Sequence, residues 1–162
     1  MLKRHLALLA LVIMAVFAVA CDNTAEEGMA VFGVSDINDN NPIVATSGVG
    51  ATVDMTFRWR PYFDPQATIV EAAPHGDYVI ESYRITWSAV TSGATVPSPR
   101  EEATNIFVPV YDLVKAGIIV VTPAEATAAA GSVLNATIEF TAHEMGTDKD
   151  AKFSTKISVT FN

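Results

Sequence analysis

Residues 136–143, Ala-Thr-Ile-Glu-Phe-Thr-Ala-His, and residues 153–161, Phe-Ser-Thr-Lys-Ile-Ser-Val-Thr-Phe, decide the fold of this chain. In both stretches apolar and polar side chains alternate with a period of two, which is typical of a strand with one buried and one solvated face. Residues 145–150 between them, Met-Gly-Thr-Asp-Lys-Asp, have turn-forming chemistry. The two stretches therefore predict an antiparallel hairpin.

The same alternation occurs at 53–59 and at 83–89, where apolar side chains take every second position. Shorter apolar stretches at 29–34, 106–110 and 117–121 are further strand candidates. One short helix is predicted after Thr122, because Thr122 and Glu125 can form a capping box, Pro123 suits the first helical position and Gly131 ends the Ala-rich run. We expect this helix to cross from one sheet to the other.

About seven strands and one short helix are the count expected of an immunoglobulin-like sandwich. This strand pattern resembles that of bacterial immunoglobulin-like and fibronectin type III-like modules. The resemblance implies an all-β fold, a single immunoglobulin-like antiparallel β-sandwich over residues 29–162, with Trp87 as its core tryptophan. The single cysteine of the chain, Cys21, excludes the disulfide of antibody domains.

The N-terminal segment has the layout of a secretory signal. Lys3 and Arg4 precede an apolar run at 6–19, and small residues precede Cys21. The stretch 17–21, Phe-Ala-Val-Ala-Cys, resembles the end of a bacterial lipoprotein signal. That resemblance implies cleavage before Cys21, a diacylglycerol on its thiol and usually an acyl chain such as palmitate on the new N-terminus. The alternative is an uncleaved transmembrane anchor. Such an anchor needs about 20 apolar residues, and the run at 6–19 has 14.

The lipoprotein resemblance divides the chain into a signal peptide at 1–20, a flexible tether at 21–28 and the sandwich at 29–162. Residues 22–28, Asp-Asn-Thr-Ala-Glu-Glu-Gly, have the polar and acidic composition of a tether. The resemblance implies a bacterial cell envelope protein that faces the periplasm or the cell surface and is held in the membrane by its N-terminal lipid. The formal net charge of −8 argues against nucleic-acid partners, because phosphate backbones repel an acidic chain.

Residues 36–42, Asp-Ile-Asn-Asp-Asn-Asn-Pro, are the most specific short motif after the signal. They resemble the calcium-binding D-x-N-D-N-x-P linker of cadherins, which implies metal ligation by Asp36, Asn38, Asp39 and Asn40. Calcium takes about six to eight oxygen ligands, and closely spaced Asp and Asn residues supply several. The alternative is an Asx-rich turn, in which such side chains cap their own backbone. We predict no cofactor, with calcium at this motif as the alternative.

Arg58, Arg60, Tyr62 and Phe63 combine cations with aromatic rings where a strand runs into a loop. Exposed rings at this position would stack on a sugar or on a partner protein. The alternative assigns Trp59 to the core and the two following rings to the edge of the sandwich. We name these four residues as a candidate binding patch.

The sequence contains neither a G-x-S-x-G elbow nor a G-x-x-x-x-G-K-[ST] loop, and we name no catalytic residue. Glu101 and Glu102 are predicted to lie in a charged loop, and Glu144 and Asp150 at a solvated hairpin tip. We therefore predict a non-enzymatic envelope protein with an interaction or structural role and a protein or glycan partner. The alternative function is a calcium-dependent adhesion or sensing module.

Overall fold

The computed structural model describes residues 30–61, 76–147 and 149–162. These residues form eight strands, one short helix and one 3-10 turn. The strands are β1 (Ala30–Ile37), β2 (Ile43–Ala45), β3 (Ala51–Pro61), β4 (Tyr78–Ala89), β5 (Arg100–Val108), β6 (Leu113–Val121), β7 (Val133–Glu144) and β8 (Asp150–Phe161). Helix α1 covers Pro123–Ala128, and the 3-10 turn covers Asn38–Asn40. Among these residues, no helix has both the length and the apolarity to cross a bilayer.

The strands form two sheets. Sheet A has three strands in the order β1-β3-β6, and sheet B has five in the order β2-β8-β7-β4-β5. Neighbouring strands are antiparallel except β2, which runs parallel to β8. The all-β prediction is confirmed. The described residues form eight strands rather than about seven, because the three-residue β2 is too short to give a recognisable alternation.

Aromatic side chains join the two sheets. The ring of Phe57 in sheet A meets the ring of Phe140 in sheet B edge to face, with centroids 5.1 Å apart. Phe153 of sheet B stacks on Phe140 and on Phe32 of sheet A, with a centroid distance of 5.0 Å in both pairs. Phe57 and Phe140 are fully buried. The buried side chains of both sheets therefore form one core.

The predicted inward faces of three strands are confirmed. The alternate positions 53–59 of β3, 136–142 of β7 and 157–161 of β8 are buried, and β7 and β8 form the predicted hairpin. Phe153 and Thr155, at the start of the predicted inward face of β8, are only partly buried. In β4 the inward face changes parity, from Tyr78 and Ile80 to Tyr83 and Ile85. A bulge beside Ser82 shifts the register against both neighbouring strands and accounts for this change.

The prediction that Trp87 is the core tryptophan was wrong. Trp59, on the central strand of sheet A, is completely buried. Trp87, which the resemblance assigned to that role, is only partly buried and meets Phe161 edge to face at 5.8 Å. Trp87 lies beyond the last pair of β4 with β5, Ile85 and Arg100, so β4 has no neighbouring strand on that side at Trp87.

Helix α1 agrees with the sequence prediction. Thr122 Oγ1 accepts a hydrogen bond from the backbone N–H of Glu125, and the Glu125 carboxylate accepts one from the N–H of Thr122. This capping box satisfies donors that the start of a helix would otherwise leave unpaired. The helix connects β6 of sheet A to β7 of sheet B, so the expected crossing is confirmed.

Glu101 and Glu102 lie in strand β5, and the prediction of a charged loop was wrong. β5 is an edge strand, where charged side chains are common because they keep the edge soluble. The neighbouring Arg100 guanidinium donates hydrogen bonds to two backbone carbonyls of β6 at 2.6 and 2.8 Å. It also lies 2.6 Å from Glu102 and 3.2 Å from Glu125. Arg100 thus ties the β5 edge of sheet B to the β6 edge of sheet A.

We expect Phe140→Ala to lower the free energy of unfolding by about 3–5 kcal/mol, because it removes a fully buried ring between the sheets and leaves a cavity. Thr141→Ala, the next residue on the opposite face, should cost less than about 1 kcal/mol. Urea unfolding of both purified variants measures the difference. Equal costs would contradict the register of β7.

Candidate functional site

A concavity of about 430 Å³ lies on the outer face of sheet B, the face turned away from sheet A. Four adjacent strands, β5, β4, β7 and β8, contribute to it. Its lining residues are Ser82, Arg84, Glu101, Glu139, Phe140, Thr141, Lys152, Phe153 and Ser154. This volume is in the range of small-ligand sites, roughly 300–1,000 Å³.

Strand pairing places the polar side chains of the concavity in two rows. Both rows cross β4, β7 and β8 on the solvent face. The first row is Ser82, Thr141 and Lys152. The second row, which begins on β5, is Glu101, Arg84, Glu139 and Ser154. The bulge of β4 lies directly beside the first row, and a bulge bends its strand and increases the local twist. The concavity therefore lies where the pairing of β4 is irregular.

Charges of both signs alternate in the concavity. Arg84 has Glu101 on one neighbouring strand and Glu139 on the other, and Lys152 adds a second cation. Ser82 Oγ donates a hydrogen bond to Glu101 at 3.4 Å. Within the described ranges, neither Arg84 nor Lys152 forms an ion pair. Their N–H groups are therefore available to a ligand, next to carboxylates that accept hydrogen bonds.

The four residues named as calcium ligands, Asp36, Asn38, Asp39 and Asn40, lie where the chain leaves sheet A for sheet B. The last three have positive φ angles of 54°, 50° and 60°. Asn and Asp adopt this left-handed conformation more readily than other non-glycine residues. Asn38 Nδ2 donates to the carbonyl of Asn41 at 3.1 Å, and Asn41 Nδ2 donates to the carbonyl of Asn38 at 3.1 Å. These side chains thus cap their own backbone.

A lysine lies against this turn. Lys115 Nζ of β6 is 2.9 Å from the carboxylate of Asp39 and 3.5 Å from that of Asp54. The hydrogen bond and the charge of Lys115 lower the pKa of Asp39, and the hydrogen bond to Asp39 raises the pKa of Lys115. The turn thus has a side-chain cation beside Asp39. In the ranges that the structure describes, no three His, Cys, Asp or Glu residues form a group suited to a metal ion. Calcium binding stays a prediction.

The candidate patch of Arg58, Arg60, Tyr62 and Phe63 is described only in part. Arg58 is exposed on the outer face of sheet A, where it pairs with Leu113 of β6. The backbone of Arg60 lies in β3, and Tyr62 and Phe63 lie outside the described residues. The predicted signal peptide at 1–20 and the predicted tether at 21–28, with Cys21, also lie outside them.

Glu144 is not at a solvated tip, because it is almost completely buried at the end of β7. Its carboxylate accepts hydrogen bonds from the N–H of Gly76 at 2.8 Å and from the hydroxyl of Thr147 at 2.7 Å. The burial of Tyr78 raises the pKa of its own hydroxyl, and the nearby charge of Glu144 raises it further. A buried carboxylate with such donors holds the hairpin to the start of β4. The sequence signal for this burial is the alternation of β7: residue 144 continues the series of inward positions 136, 138, 140 and 142.

Comparison with known proteins places the chain in no family. No family model matches it, and no significant match is found among curated proteins or solved structures. The function is therefore argued from the sequence and from the geometry of the described residues.

Proposed function

We propose that this chain is a lipid-anchored, non-enzymatic protein of a bacterial cell envelope, and that its domain is an immunoglobulin-like interaction module. The outer face of sheet B is its binding surface. The observation that carries this proposal is the polar concavity, where cations without ion-pair partners among the described residues lie beside carboxylates and hydroxyls. The anchor is Cys21, and its support is the signal-like sequence before it.

The strand order supports an immunoglobulin-like assignment. In that fold, strands A, B and E share one sheet, and strands C, F and G share the other. Sheet A of this chain, β1-β3-β6, corresponds to A-B-E, and the β8-β7-β4 part of sheet B corresponds to G-F-C. Strand β5 then takes the place of C′. After β1 the chain crosses to sheet B, where the short strand β2 pairs in parallel with β8.

The chemistry of the concavity favours a glycan over a flat protein surface. A sugar hydroxyl both donates and accepts hydrogen bonds, so it suits a site that alternates Arg84 and Lys152 with Glu101 and Glu139. The charged side chains are exposed to water on the face of a sheet. Catalytic groups usually work in sites from which water is excluded, so this exposure favours binding over catalysis.

We expect Lys152→Ala to weaken binding to an envelope glycan about tenfold, because a charged hydrogen bond contributes about 1.5–3 kcal/mol. Lys156→Ala is the matched control, since Lys156 lies on the same face of β8 but does not line the concavity. The measurement is binding of the full chain, held in nanodiscs, to peptidoglycan and surface polysaccharide fragments. Equal losses in both variants would show a nonspecific charge effect and contradict the assigned face.

Anchoring is tested by metabolic labelling with an alkyne analogue of palmitate. We expect the wild-type chain to be labelled and Cys21→Ser to carry no label, because the substitution removes the acyl acceptor. Two or three acyl chains anchor a protein stably, at about 0.8 kcal/mol for each buried CH₂. Equal labelling of the two proteins would end the lipoprotein interpretation.

The alternative function, a calcium-dependent adhesion or sensing module, depends on the turn at 36–40. Lys115 lies 2.9 Å from the Asp39 carboxylate. A calcium ion bound there would be repelled by the ammonium group or would have to displace it. Asp39 and Lys115 are both exposed, so their pair adds little to stability and its displacement is not costly. The Lys115 ammonium would therefore weaken calcium binding by competition for Asp39 but would not prevent it.

We expect millimolar calcium to raise Tm by no more than about one or two degrees more than the same concentration of magnesium does. A saturated specific site would raise Tm much further. Such a site at a hundredfold excess over Kd adds about 2.7 kcal/mol, or about 5–10 °C for a domain of this size. Scanning calorimetry measures the shift in the wild-type protein and in Lys115→Gln. This variant removes the cation that competes with calcium, so a weak calcium effect is easiest to detect in it. A calcium-specific rise of about 5–10 °C that disappears in Asp36→Ala/Asp39→Ala would establish the adhesion module instead.

A further inference from the structure

Four exposed side chains form what we call the apolar rim: Phe107, Tyr111, Leu113 and Met145. Their exposed fractions are 46%, 64%, 58% and 52%. The other large hydrophobic side chains that are exposed in the described part of the chain are all Val or Ile. Among the described residues, the aromatic, Leu and Met side chains that face water are thus confined to the rim.

The rim lies at one end of the two sheets. Tyr111 lies in the connection from β5 to β6, and Leu113 is the first residue of β6. The backbone N–H of Tyr111 is 3.4 Å from the carbonyl of Trp59 near the end of β3. Phe107 pairs with the second residue of β4. Met145 follows β7 directly, and its N–H donates to the carbonyl of Asp77, the residue before β4.

Strand β1 begins at this same end. Its first residue, Ala30, pairs with Pro61, the last residue of β3. The ring of Phe32 meets the ring of Tyr78, the first residue of β4, at 4.7 Å. The chain that connects β1 to Cys21 therefore enters the domain at the rim.

The connection is short. Residues 22–29 span at most about 30 Å when fully extended. Strand β3, with 11 residues, is roughly 35 Å long and runs from the opposite end to the rim. A lipid on Cys21 can therefore bring the rim to the bilayer, but it cannot bring the opposite end there while the domain stands upright.

We propose that the apolar rim inserts into the interface of the bilayer to which the lipid on Cys21 is attached. This inference rests on the proposed lipid anchor. Tyr and Phe are favourable at the level of the lipid headgroups, and Leu and Met bury apolar surface there. Tyr111 has a φ of 64°, an uncommon conformation for a large side chain, and its ring is exposed at the turn.

The contact is apolar rather than electrostatic. Asp112 and Asp150 lie at the same end as Arg58 and Lys149, so the charges there are mixed. The chain as a whole is acidic and has no charge complementarity to anionic lipid. High salt should therefore leave the contact intact.

The test places a tryptophan at the rim in the full-length, acylated protein. Tyr111→Trp is reconstituted in vesicles of phosphatidylethanolamine and phosphatidylglycerol with brominated acyl chains, and wild-type fluorescence is subtracted. Val49→Trp is the control, because Val49 is 72% exposed in the turn before β3, at the opposite end. We expect about twofold or greater quenching at position 111, no quenching at position 49 and no effect of molar salt. Leu113→Trp repeats the test on a regular strand.

Two controls separate this proposal from the anchor. The intact mass shows whether Cys21 is acylated, and unacylated protein that stays in solution contradicts the anchor itself. Acylated, vesicle-bound protein with equal quenching at positions 111 and 49 overturns only the insertion of the rim. If neither brominated lipid nor aqueous iodide quenches the tryptophan introduced at position 111, a protein such as a second copy of this chain covers the rim, and the proposal would be wrong.

Discussion

Burial of aromatic rings between the two sheets is the interaction on which the rest of this structure depends. Phe57 and Phe140 meet edge to face across the interface, and Phe153 extends the contact to Phe32 at the start of β1. The single cysteine of the chain excludes an intramolecular disulfide, so stability comes from this core. The core also positions the proposed binding surface, because each inward ring sets the polar residues on either side of it toward solvent.

The parts of the fold that the sequence predicts are those that follow from local periodicity and capping. The hairpin of β7 and β8 and the capping box at Thr122 depend on residues close together in the chain. The missed features depend on contacts between distant segments. The inward face of β4 changes parity at a bulge that exists only against its neighbouring strands. Arg100 has an inward position on β5 because two carbonyls of β6 accept its hydrogen bonds.

The concavity was less predictable than the fold for a related reason. Arg84 and Glu139 lie at polar positions of the stretches predicted to alternate, and Lys152 directly precedes the last of these stretches, yet no sequence spacing shows that the three are neighbours. The order β8-β7-β4-β5 brings them together, and this order is a property of the whole sheet. By contrast, the motif at 36–42 was conspicuous because it is contiguous. Its partner Lys115 lies in a distant strand, and sequence reasoning did not identify it.

The direction of the strands gives these surfaces different roles if the chain is anchored at Cys21. β1 starts at the rim, so the strands run between the membrane-proximal end and the free end of the domain. The outer face of sheet B then stands roughly along the membrane normal, with its concavity open to the side. A partner bound there would approach from the side of the domain. In the proposed function, anchoring would use the rim and recognition the outer face of sheet B, and the strand arrangement that buries the core places both.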